Sequence, residues 1–96
     1  MAGYSLSARA DTDLAGIYEY TIENHNQDLA RAYLAGLHTR LSMLAEHPLQ
    51  GRSEDALLPG LRRADYESHV VFYLVNDQGI HVVRVLHQRM DVPRHF

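Results

Sequence analysis

Six residues between positions 60 and 91 are of types that can engage a polar partner: Arg62, Arg63, Arg84, His87, Arg89 and Asp91. The chemistry such a set invites is RNA cleavage. That reaction needs a base for the 2′-hydroxyl, cations on the scissile phosphate and an acid for the leaving oxygen. Arg62, Arg84 and His87 supply the types. Strand alternation nevertheless sends Arg84 and His87 to opposite faces unless the strand bulges or ends between them. The basic surround that an RNA enzyme wants is also thin, since the net charge is −3 and phosphate affinity comes from accumulated cations. No catalytic residue is therefore assigned.

Other chemistries lack their essential parts too. The chain has no cysteine, which removes disulfides, thiolate zinc sites and a catalytic thiol. All nine basic residues are arginine, so there is no Schiff-base lysine and no P-loop lysine. No Gly-x-Ser-x-Gly turn is present, and Ser5, Ser7, Ser42, Ser53 and Ser68 sit in ordinary contexts. Seven histidines raise the question of a metal. His81 and His87 share a strand face by simple alternation but stand roughly 20 Å apart. His69 could join either, yet no compact His-carboxylate spacing occurs. No metal and no cofactor is expected.

Arg84 poses the sharpest question. It lies among Ile80, Val82 and Leu86 on one face of a strand, with His81, Val83, Val85 and His87 on the other. An arginine there is costly to bury unpaired. Either it finds a carboxylate of its own chain, with Asp65, Glu67 and Asp91 as candidates, or it is exposed in a groove with Arg62 of the neighbouring strand. Arginine suits planar two-pronged recognition of carboxylates and phosphates.

The elements that must position these residues follow from periodicity. Tyr4 to Ser7 alternates like a half-buried strand. Ser7 is the expected N-cap of a first helix reaching about Glu23, with Asp11 and Asp13 in the turn that favours negative charge. Leu14, Ile17, Tyr18 and Ile22 recur on its apolar face. Asn24-His25-Asn26 breaks it. A second helix runs from about Gln27 to Glu46, with Ala30, Tyr33, Leu34, Leu37, Leu41 and Leu44 on one stripe and Pro48 beyond its end. Gly36 inside it marks a close crossing. Tyr18, Tyr20 and Tyr33 are read as packing residues rather than stacking platforms.

Residues 48 to 60 read as a long connection without obvious structure, pinned by Leu57 and Leu58. Leu61 to Tyr66, His69 to Val75 and Ile80 to Leu86 are strands, the last two joined by the turn Asn76-Asp77-Gln78-Gly79. Val70, Phe72 and Leu74 give the middle strand an apolar face. The order β-α-α-β-β-β predicts an α+β domain spanning 1–96, a helical hairpin on a mainly antiparallel four-stranded sheet. No stretch approaches the ~18–20 apolar residues of a membrane span, and the start lacks the regions of a signal peptide. A cytoplasmic location is expected. The first fifty residues carry three arginines against six carboxylates, whereas Arg84 to Phe96 has three arginines, two histidines and only Asp91. Such a dipolar surface would steer an acidic partner.

Tyr4-x-Leu6-Ser7-x-x-Ala10-x-x-Asp13-Leu14-x-x-Ile17, Ala-Glu-His-Pro at 45–48, Gly51-Arg52, Pro59-Gly60-Leu61-Arg62, His69-Val70-Val71-Phe72-Tyr73 and Arg84-Val85-Leu86-His87-x-x-Met90-Asp91 resemble the ParE toxins of the RelE/ParE toxin–antitoxin superfamily. The resemblance implies a bacterial toxin that inhibits DNA gyrase by binding. It also implies a ParD-like ribbon-helix-helix antitoxin whose tail folds across the toxin, with operator DNA bound only through that antitoxin. RelE relatives instead cut mRNA on the ribosome, which is the alternative. This chain lacks the lysines of that pattern and has no tyrosine near its end. Arg62, Arg84, His87, Arg89 and Asp91 are the expected contact residues on the sheet. Leu29, Tyr33 and Leu37 are expected to form a helix-side groove.

Overall fold

The computed structural model describes residues 2–96. Strand β1 (Gly3–Leu6) leads directly into helix α1 (Ala8–Asn24), and helix α2 (Gln27–Glu46) folds back along it. Both starts are set by side-chain caps. Ser7 Oγ accepts the Ala10 N–H at 2.9 Å, and Asn26 Oδ1 accepts the Leu29 N–H at 2.8 Å, each satisfying a donor that has no partner within its helix. Only His25 and Asn26 separate the helices, so they pack as an antiparallel hairpin. Asn26→Ala is expected to cost about 1 kcal/mol, read as a lower urea midpoint at unchanged slope.

The sheet has five strands rather than the four expected. Beyond β3 (Arg62–Tyr66), β4 (His69–Asn76) and β5 (Gly79–His87), a two-residue strand β2 (Arg52–Ser53) pairs with the outer edge of β3. The order is β1-β5-β4-β3-β2, antiparallel throughout except for the parallel pair β1 and β5. A parallel pair needs a crossover connection, and the helical hairpin begins it. Two residues are too few to show a strand period, so β2 leaves no mark in the stretch expected to lack structure. That stretch also holds a 3-10 turn at Pro48–Gln50. Leu57 does pack against the core, but Leu58 is exposed.

Side chains are buried on both faces of the sheet. Leu14 and Ile17 of α1 and Leu37, Leu41 and Leu44 of α2 close over Val71, Tyr73, Ile80, Val82 and Val85. On the other face Leu61, Val70, Phe72 and Leu86 form a second cluster, covered by Leu57 and Val92. Two covered faces explain the near-continuous apolar run of β4. Gly36 marks the close crossing expected of it: a Cβ there would run into the Tyr66 hydroxyl, which donates to the Tyr33 carbonyl at 3.2 Å.

One irregularity changes which residues meet. Phe72 pairs with Arg84 but Tyr73 pairs with Val82, so Val83 is an extra residue in β5. A bulge of this kind inverts the alternation beyond it. Ile80 and Val82 face the helices together with Val85, while Val83 and Leu86 face away. The uninterrupted alternation expected for β5 is therefore corrected at Val83, and His81 and His87 do not share a face.

Candidate functional site

The first half of β5 is paired with β1, but the chain leaves the sheet at Ser7. From Val83 onward that edge would show unpaired backbone groups. The start of α1 covers it. Ser7 Oγ donates to the Val83 carbonyl at 2.7 Å, and Asp13 Oδ2 accepts the Val85 N–H at 3.0 Å. The same carboxylate meets Arg84 two-pronged, with Nε to Oδ2 at 2.8 Å and Nη2 to Oδ1 at 2.9 Å. Arg84 and Asp13 are only 13% and 14% exposed, and hydrogen bonding to Asp13 holds the guanidinium pKa above its ordinary value.

Arg84 thus takes the internal ion pair, with a partner outside the expected set. Asp65, Glu67 and Asp91 play no part in it; Asp91 pairs with Arg94 at an exposed position. Nor does Arg84 share a groove with Arg62. Arg62 Nη2 donates to the Leu49 and Gly51 carbonyls at 3.1 and 2.6 Å and fixes the loop beside β3. Arg63 pairs with Glu54 and lies over the Phe72 ring. The carboxy-terminal turn Val92–His95 lies over the outer sheet face. There Arg84 Nη1 donates to the His95 carbonyl at 2.9 Å, and Phe96 meets Phe72 edge-on.

His87 sits in different company. The bulge brings it opposite His69, with ring centroids 5.3 Å apart. His87 Nδ1 accepts the Arg89 N–H at 3.1 Å, and His69 Nδ1 is hydrogen-bonded to the Tyr33 hydroxyl at 2.6 Å. Tyr33 in turn packs edge-on against Tyr66. Burial, with a smaller contribution from His87, lowers the His69 pKa. A histidine kept neutral by folding binds fewer protons than in the unfolded chain, so stability is lost as pH falls through the normal imidazole range. Burial likewise raises the Tyr33 phenol, which stays neutral.

An open groove of about 670 Å³ rises from this pair to the surface between α1 and the end of β5. Ile17 and Val85 lie deep in it, and Tyr20 and Met90 at its rim are 66% and 45% exposed. Tyr20 is therefore a surface residue and not the packing residue expected. Arg89 lines the same groove, and Asp91 is exposed just beyond it.

The helix-side trio does not form a groove. Leu37 is fully buried in the core, Tyr33 is half-buried against His69, and Leu29 stands exposed near the start of α2. Asp13 and His69 are the residues that sequence reasoning missed. Asp13 carried a signal, since a strand arginine needs a carboxylate, but its expected place in the first turn of α1 offered the helix dipole as an equal explanation. In the structure only Asp11 is in that turn, and Asp13 lies in the next one, where it reaches Arg84.

Residues 4–92 match the family model described as the ParE toxin of type II toxin–antitoxin system, parDE. The chain is 39% identical to toxin ParE1 of Caulobacter vibrioides over 96 residues, covering 100% of this chain and 99% of that one. It is 42% identical to toxin ParE1 of Mycobacterium tuberculosis over 94 residues, covering 97% and 96% of the two chains. Its fold matches a solved structure described as the chromosomal ParDE TA system from P. aeruginosa, with a TM-score of 0.76, 19% identity and coverage of 91% and 96%. The helical hairpin on a mixed sheet is the fold shared with that solved structure, and the chain belongs to the ParE family of toxins of type II toxin–antitoxin systems.

Proposed function

We propose that this toxin acts by occupying DNA gyrase, and that a ParD-like antitoxin with an acidic tail holds it inactive. The match to ParE toxins along almost the entire chain carries the reading. The disposition of the basic residues supports it against mRNA cleavage. Arg84 is committed to Asp13, Arg62 is committed to loop carbonyls, and neither stands beside the His69–His87 pair. A phosphodiester would meet no convergent set of cations. His87, Arg89 and Asp91 at the end of β5 are the proposed contact residues, whereas Arg84 acts as structural support beneath them.

The toxin is proposed to work in the bacterial cytoplasm and to reach operator DNA only through its antitoxin. No helix of the described residues is long and apolar enough to cross a membrane. The deciding experiment pairs a gyrase supercoiling assay with an in vitro translation reaction whose mRNA ends are mapped. Purified toxin is expected to inhibit supercoiling and accumulate cleaved plasmid, to leave mRNA intact, and to lose its effect when the antitoxin is added. New mRNA ends with unaffected supercoiling would overturn the gyrase reading.

A further inference from the structure

The groove between α1 and the end of β5 is lined by apolar residues, with the His69–His87 pair and Arg89 among them. We infer that the paired imidazoles of His69 and His87 receive a carboxylate of the antitoxin, next to an apolar side chain that fills the groove above them. The inference rests on the toxin–antitoxin reading above and adds the place and chemistry of one contact.

Both rings have a polar position to spare on Nε2, a donor on His87 and, on His69, a donor when Nδ1 accepts from Tyr33 or when the ring is charged. The Arg89 backbone N–H can only donate, so His87 Nδ1 is an acceptor and the proton of the neutral ring sits on Nε2. The Tyr33 hydroxyl occupies Nδ1 of His69. Among the described residues neither Nε2 has a hydrogen-bond partner. Two imidazoles 5.3 Å apart thus hold unspent polar capacity on their Nε2 atoms.

The charges around the pair point the same way. From α1, Asp13 lines the groove, but both of its oxygens are used by Arg84 and the Val85 N–H. Tyr20 also comes from α1, Tyr33 from α2 and Tyr66 from β3; all three are phenols. Glu67, in the turn joining β3 to β4, is exposed near Tyr33. Arg89 lines the groove without an ion-pair partner among the described residues. The groove therefore lacks an available carboxylate and carries an available cation, so an acidic occupant is complementary. Ile17, Val85, Tyr20 and Met90 call for an apolar group beside that carboxylate. A carboxylate settling on the pair would favour the imidazolium form and draw a proton in with it. On His87 that proton goes to Nδ1, so the contact with the Arg89 N–H is given up as the ring is charged.

Two variants probe the two halves of the site. His87→Gln keeps a hydrogen-bonding side chain but cannot take up the proton. Gly16 forms part of the α1 wall, and a Cβ added there meets nothing within 4 Å, so Gly16→Leu fills the groove without disturbing the core. The measurement is calorimetric titration of the full-length toxin with the full-length antitoxin from the neighbouring gene. It is run near pH 6.5 and pH 8 in buffers of differing ionisation enthalpy.

Wild type is expected to take up at least ~0.5 proton on binding and to bind about tenfold more weakly at the higher pH. His87→Gln is expected to lose the uptake and about tenfold in affinity at the lower pH, and Gly16→Leu to lose at least about tenfold at both. Wild-type binding without proton uptake, with both variants within about twofold, would overturn the inference while leaving the antitoxin reading intact. Variants that change self-association of the toxin and not antitoxin affinity would overturn it in favour of a second copy as occupant. Failure of wild type to bind the antitoxin at all would instead remove the reading on which it rests.

Discussion

Asp13→Ala is expected to lower the unfolding free energy by about 3–4 kcal/mol, close to the lower end for removing one partner of a buried ion pair. The carboxylate serves three donors, Arg84 Nε and Nη2 and the Val85 N–H. Its loss strands a guanidinium that is 13% exposed and reopens the β5 edge where β1 has already departed. For a domain of this length such a loss corresponds to a fall in Tm of about 12–25 °C. Asp13→Asn retains an acceptor and is expected to lose roughly half as much. In the double variant Asp13→Ala/Arg84→Met no charge is left unpaired, so its loss should fall short of the sum of the singles by ~1.5 kcal/mol or more. Thermal and urea denaturation of the four proteins of the cycle measures the coupling. Additive losses would show that the pair is not coupled.

The same pair governs how contact experiments must be designed. Reversing the charge of Arg84 would test antitoxin binding cleanly only if Arg84 lay on an open face. With Asp13 beneath it, Arg84→Glu would place two carboxylates together and unfold the edge. Loss of binding would then report loss of the fold. Arg89 is free of that ambiguity, because its guanidinium touches no acidic side chain among the described residues.

Local periodicity and residue type carry the helices, the Ser7 cap and the three long strands, because each is written in residues close together in the chain. Asn26, read only as part of the break, is the cap of α2. α2 begins and ends where Asn26 and Pro48 place it. The site is less legible, for a reason that can be stated in one register. A hairpin closing Asn76 on Gly79 pairs residues whose numbers sum to 155, which would set His69 opposite Leu86. The bulge at Val83 raises that sum by one, and His69 meets His87 instead. Nothing in Val82-Val83-Arg84 announces an extra residue. The bulge coincides with the point where the edge partner of β5 changes from β1 to α1, a change set by long-range contacts. Arg84 and Asp13 lie 71 residues apart, beyond the reach of spacing arguments. The fold is thus readable from neighbours, whereas the residues that converge at the groove depend on one inserted residue.

Gly51→Val tests why a thirteen-residue connection is ordered at all. The buried Tyr73 hydroxyl donates to the Pro48 carbonyl at 2.7 Å and accepts the Gly51 N–H at 3.0 Å. Arg62 holds the Leu49 and Gly51 carbonyls from the other side. A Cβ at position 51 would stand 2.6 Å from the Arg63 carbonyl oxygen as well as against the Tyr73 hydroxyl. The hydroxyl belongs to a side chain that can shift, but the carbonyl belongs to β3 and cannot yield without opening the pairing of Arg52 with Arg63. Overpacking and the lost hydrogen bonds together are expected to cost about 3–4 kcal/mol. Tyr73→Phe, which removes the hydroxyl alone and leaves two backbone groups unsatisfied, is expected to cost about 2 kcal/mol. Because the chain contains no lysine, Arg52 is the one trypsin site between Pro48 and Gly60. Both variants are therefore expected to be cleaved after Arg52 faster than wild type, Gly51→Val more so. Cleavage at the wild-type rate in Gly51→Val would mean that the segment owes its order to Leu57 and the outer cluster rather than to this close backbone contact.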